Sequence, residues 1–120
     1  MLTKLITDST TEDKTFDAIS FDEVKKATFM FTRADDAGGD GVFTVEGSVD
    51  GETYVALNLL VDNVTDSNAE SLTRVASCTL ATETSKLYAL DLEHFCFKMV
   101  RVALDETTSG THSYKALLEY

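Results

Sequence analysis

The chain has 120 residues, with 21 Asp and Glu against 10 Lys and Arg, a formal net charge of −11. That length is one domain, able to bury a core without metal or disulfide staples. So acidic a chain repels nucleic acid and anionic membrane surfaces, stays soluble, and is steered towards basic partners. No apolar run approaches the ~20 residues of a membrane span, and residues 2–6 are too few for a signal-peptide core.

The sequence contains no proline and no tryptophan, so Gly, Asp, Asn, Ser and Thr must punctuate it. Residues 7–14 read as a loop or mobile arm, and a short strand over 16–21 is open. Residues 21–26 allow one helical turn starting near Asp22. A period-two signal then begins: Ala27, Phe29 and Phe31 alternate with Thr28, Met30 and Thr32, and Arg33 ends the strand. The run ADDAGGDG over 34–41 is turn chemistry, and residues 42–49 return with Phe43, Val45, Gly47 and Val49 on one face, which predicts a β-hairpin. Asp50-Gly51 predicts a two-residue type I′ turn into a strand over 52–60, making a meander. Residues 61–70 are polar and turn-rich. Further strands are expected over 71–80, 86–91, 95–104 and 111–120, with a connector at 81–85, a bend at Glu93-His94 and a turn over 105–110.

About seven or eight short strands at roughly ten-residue spacing indicate an all-β fold, an antiparallel β-sandwich or jelly-roll-like barrel. The expected division is an N-terminal arm and first strand over 1–20 and a β-sandwich domain over 21–120. An arm over residues 1–16 either orders against a neighbouring subunit or frays.

The candidates for chemistry are few. Asp35, Asp36 and Asp40 crowd one Gly-rich loop, and Asp62, Asp66, Asn68 and Glu70 another. Neither has the alternating oxygen ligands and closing Glu of a calcium loop, so both read first as turns. Cys78 and Cys96 match no zinc pattern, and without an export signal they are expected to be free buried thiols. Of the two histidines, His94 would share a strand face with Cys96, and His112 reads as surface. Asn63-Val64-Thr65 fits a glycosylation sequon by chance. No GxSxG elbow, GxGxxG or P-loop occurs. The expectation is therefore a protein that is not an enzyme, with no catalytic, cofactor-binding or metal-binding residue assigned and no cofactor.

The run from Phe43 to Leu57, containing Gly47-Ser48-Val49-Asp50-Gly51-Glu52-Thr53-Tyr54, resembles the G-S-x-D-G-x-x-[YW]-x-x-L hairpin of small β-sandwich proteins in tailed-phage particles. Tyr88-Ala89-Leu90-Asp91, followed by the apolar ridge from Phe95 to Val102 and the DETTSGT turn, is similar too, so the resemblance covers residues 27–120. It implies a virion location and a capsid decoration (cement) protein, or a neck or tail component. The partners it implies are the major capsid protein or neighbouring virion proteins, and further copies of itself in a homo-oligomer such as a trimer. It brings no catalytic residue. The same S-x-D-G-x-x-[YW] hairpin resembles that of discoidin-type carbohydrate and lipid binders, from which this chain departs in its length and its lack of tryptophan. A glycan-binding module of a host-facing fibre is the alternative, and Tyr54, Tyr88 and Tyr114 exposed together at one end would favour it.

Overall fold

Alternation of apolar and polar residues dictates the core. In the computed structural model, which describes residues 1–35, 39–62, 72–106 and 110–120, strand β4 (Lys26–Arg33) buries Ala27, Phe29, Phe31 and Arg33 on one face. Strand β5 (Gly41–Ser48) buries Phe43, Val45 and Gly47. β11 (Met99–Glu106) buries Val100, Val102 and Leu104, and β12 (His112–Glu119) buries His112, Tyr114, Ala116 and Leu118. These faces meet as the inner surfaces of two antiparallel sheets, so the fold is an all-β sandwich. Aromatic contacts tie the layers together: Phe31 stacks on Phe43 at 4.6 Å, and Phe16 meets Tyr114 edge-on at 5.0 Å.

Twelve strands appear among the described residues, more than the sequence suggests, because several are brief. The remaining ones are β1 (Thr3–Thr10), β2 (Lys14–Thr15), β3 (Ile19–Ser20), β6 (Val55–Ala56), β7 (Leu59–Asp62), β8 (Leu72–Val75), β9 (Cys78–Leu80) and β10 (Thr84–Ala89). Sheet A runs β1-β12-β4-β10-β7-β8, and sheet B runs β2-β11-β5-β6, with β3 also on β11 and β9 on β5.

The pairing corrects several expectations. β4 and β5 are not a hairpin: β4 lies between β12 and β10 in sheet A, whereas β5 lies against β11 in sheet B. The Gly-rich run between them carries the chain from one layer to the other, and residues 36–38 of it fall outside the described residues. The strand expected over 52–60 is divided at Leu57-Asn58 into β6 in sheet B and β7 in sheet A. The strand expected over 71–80 is likewise divided at Ala76-Ser77 into β8 in sheet A and β9 in sheet B. Residues 95–98 are not strand, and β11 begins at Met99. No helix forms over 21–26. Val24 N–H donates to the Phe21 carbonyl at 3.2 Å, closing a turn in which Glu23 takes a φ of 64°.

The loop at Asp50-Gly51 is wider than a two-residue turn. Gly51 has a φ of 81°, but Asp50 is not in the left-handed region that a type I′ turn also requires at its first position. Its carboxylate organises the loop instead, accepting N–H bonds from Glu52 and Thr53, each at 2.8 Å, and the Ser48 hydroxyl at 2.9 Å. Those donors, the Thr53 amide foremost, hold the Asp50 carboxyl down at about 2.

Thr3–Thr10 is no loose arm. It pairs with β12 along its whole length, from Thr3 opposite Glu119 to Thr10 opposite His112. Thr and Ile suit a strand, and a partner distant in sequence supplies the order that the segment lacks by itself.

Candidate functional site

Where the chain leaves sheet B for sheet A at Leu57-Asn58, the sandwich opens into a groove of about 630 Å³, a size typical of ligand clefts. Leu57, Leu90 and Phe97 form its apolar wall, while Asn58, Arg74, Asp91 and His94 supply polar groups. Gly47 makes room for this wall, because a β-carbon there would lie 2.7 Å from the Phe97 ring and 2.9 Å from Leu57. Phe95 is 57% exposed and stacks on Phe97, with ring centroids 6.4 Å apart and planes inclined by 14°.

Asp91 is the electrostatic centre. Its side chain is 8% exposed and sits at the start of a turn whose His94 amide donates to Oδ1 at 3.1 Å. Arg74 Nη2 reaches Oδ2 at 2.9 Å, and His94 Nδ1 lies 3.1 Å from the same oxygen. The Arg74 guanidinium, outweighing the desolvation that opposes it and helped by His94, holds the Asp91 carboxyl down at about 2. The Asp91–His94 contact has the form of an acid orienting a base, but none of the side chains lining the groove is a hydroxyl or thiol nucleophile. Cys96 is exposed and does not line the groove, and the shared strand face expected for His94 and Cys96 is absent because neither residue lies in a strand.

A second polar cluster, barely signalled by the residue pattern, lies at another end of the sandwich. His112, expected on the surface, is 1% exposed, with Nδ1 3.0 Å from Glu106 Oε2, itself on a 6% exposed side chain. Arg33, also 1% exposed, donates from Nη1 to the carbonyls of Gly39 at 2.7 Å and Leu80 at 3.2 Å. Asp35 accepts the Thr111 amide at 2.8 Å and lies 3.8 Å from Arg33 Nε. Together these groups tie the ends of β4, β9, β11 and β12. Strand parity already placed Arg33 in line with Phe29 and Phe31, which was the available signal; the partners lie too far along the chain to be read from sequence.

The Asp35, Asp36 and Asp40 loop is thus partly accounted for by backbone and guanidinium bonding at Asp35, while Asp36 lies outside the described residues. Asp62 is exposed at the end of β7. Asp66, Asn68, Glu70 and the Asn63-Val64-Thr65 sequon also lie outside the described residues. Among the described residues no group of three or more His, Cys, Asp or Glu side chains is placed to hold a metal ion. Cys78 and Cys96 are both free, Cys78 buried and Cys96 exposed; burial pushes the Cys78 thiol up. Tyr88 and Tyr114 are buried and Tyr54 is half-buried under Arg101, whose guanidinium carbon is 3.9 Å from its ring centroid, so the three do not form an exposed display.

No family model matches the chain, and no curated protein matches it in sequence. Its fold is similar to the crystal structure of the SPBc2 prophage-derived protein YomS, with a TM-score of 0.64 at 10% identity over 99% of this chain and 96% of that one. PirA (TM-score 0.45, 10% identity, 98% of this chain and 93% of that one) and a disulfide-linked pilus of Bacillus endospore appendages (0.43, 13%, 100% and 90%) are looser likenesses. At such identity the likeness to YomS is one of fold, and it extends over nearly the whole of both chains.

Proposed function

We propose that this protein is a non-enzymatic component of a tailed-phage particle, a capsid decoration protein that docks on the lattice of the major capsid protein and stabilises the head. The observation that carries this reading is the outer face of sheet A. Leu5 (59% exposed) lies directly opposite Leu117 (48%), and Leu87 (62%) lies opposite Met30. Neighbouring exposed apolar residues on a sheet face mark a contact surface. The net charge of −11 steers the chain as a whole towards a basic rather than an acidic partner. The full-length fold likeness to a prophage-derived protein supports the same reading. Multivalent attachment to a repeating lattice would supply avidity from a modest contact per copy.

The test is binding to purified heads that lack the protein. Leu87→Lys combined with Leu117→Lys keeps every core residue, so the fold should persist while occupancy falls at least about tenfold. Full occupancy by the folded double variant would overturn the docking face.

A glycan-binding module of a host-facing fibre is the second reading, favoured by the exposed Phe95 ring stacked on half-buried Phe97 beside the Asp91 groove, since an aromatic face and fixed polar groups suit a sugar ring. A glycan array read against Phe95→Ala decides it: binding lost with Phe95 supports this reading, and silence across the array removes it.

A further inference from the structure

We propose that the free edge of β1 pairs antiparallel with β1 of a second copy, about a two-fold axis through Ile6, so that two A sheets become one. This rests on the edge itself and is independent of the virion reading. Among the described strands, β1 is the long unpaired edge: it has eight residues and ends sheet A, whereas β8 at the other end has four and the edge strands β2 and β6 of sheet B have two each. Such an edge is a template for another strand.

Backbone parity limits the possible registers. The Leu2 carbonyl accepts the Tyr120 amide at 3.0 Å, so the even-numbered residues of β1 turn their backbone groups towards β12. Thr3, Leu5, Thr7 and Ser9 therefore turn theirs to the open side. Self-pairing must set odd residues against odd. With Ile6 opposite itself, Thr3 meets Ser9, Leu5 meets Thr7, and Lys4 meets Asp8 twice across the axis. The Lys4–Asp8 and Ile6–Ile6 positions are then of the non-hydrogen-bonded kind, with Cα atoms about 4.5 Å apart and side chains closest. Moving the axis to Leu5 would set Lys4 against Ile6 and Asp8 against Leu2. Moving it to Thr7 would set Lys4 against Thr10 and Asp8 against Ile6.

Charges on the inward face of an edge strand discourage foreign apolar strands. Lys4 and Asp8 do so while matching each other. Both line the open cleft between the sheets at this edge, so neither is committed to the core. Asp8 Oδ1 now accepts the Ser9 amide at 2.8 Å. On pairing, that amide passes to the second copy's Thr3 carbonyl and the carboxylate to its Lys4.

Sedimentation equilibrium of the full chain should show a mass rising with concentration to twice 13.1 kDa; a monomer throughout, or a larger closed ring, overturns the proposal. Thr7→Pro removes an edge N–H that β12 does not use and should weaken the dimer at least ~10-fold, and a dimer of unchanged affinity would exclude the β1 edge. Lys4→Asp and Asp8→Lys should each weaken it roughly tenfold, and the double swap should recover it to within roughly threefold. A folded double variant without recovery overturns the register. Should a charge variant fail to fold, Ile6→Cys in a Cys96→Ser background decides: the two-fold position predicts a crosslinked dimer under mild oxidation, and no crosslink counts against the register.

Discussion

Glycine and histidine are matched at Gly41 and His112. A β-carbon on Gly41 would overlap the buried His112 ring, and that ring is held against Glu106 on the far side. Gly41→Ala should cost about 1–3 kcal/mol, the range for overpacking a filled interior, measured by urea unfolding. Most of the loss should be recovered in Gly41→Ala/His112→Ala relative to His112→Ala alone, as a coupled pair requires. Acid provides a second residue-scale test. Asp50 and Asp91 both hold carboxyls at about 2 in the folded chain, against 3.8 ordinarily. A depressed folded pKa contributes stability above the unfolded value, and that contribution is lost as the pH falls through the folded one. Stability should therefore decline between pH 4 and pH 2, and Asp50→Asn should flatten the decline, as urea midpoints across that window would record.

Strand β1 carries the clearest test at the level of elements. If residues 1–10 were a mobile arm, deleting them would leave stability unchanged. Because β1 pairs with β12 throughout and half-buries Ile6, deletion should lower stability by at least about 2 kcal/mol, given the net worth of the hydrogen bonds lost, measured by chemical denaturation. The same strand shows what the sequence made legible. Period-two alternation revealed β4 and β5, whose inward residues repeat without interruption. It did not reveal partners, because hairpin signals assume that neighbours in sequence are neighbours in a sheet, and β4 and β5 are not. The breaks at Leu57-Asn58 and Ala76-Ser77 carry a single Asn and a single Ser rather than a turn cluster, too weak a local signal to mark the change of layer. The groove went unseen for that reason: its wall is assembled at one of these breaks, and Phe95 and Phe97 alternate like strand residues while lying outside any strand. The loop at Asp50 was half legible, since Asp-Gly marked a reversal but not the carboxylate bonding that shapes it.

For the molecule as a whole, a net charge of −11 would make the proposed docking on a basic lattice dependent on salt. Raising ionic strength from 50 to 500 mM should slow association with heads by roughly tenfold and change dissociation much less, as steering by charge requires; surface plasmon resonance on immobilised heads separates the two rates. The topology carries a further consequence for synthesis. β12 fills the place between β1 and β4, so β1 waits for a strand made about a hundred residues later. A nascent chain has no finished sheet A to fold onto until residues 112–119 clear the ribosome, and a prematurely terminated product leaves β1 without its neighbour. Sheet A is therefore closed by its C-terminal strand, and a copy that lacks residues 112–119 leaves both β1 and β4 with an open side.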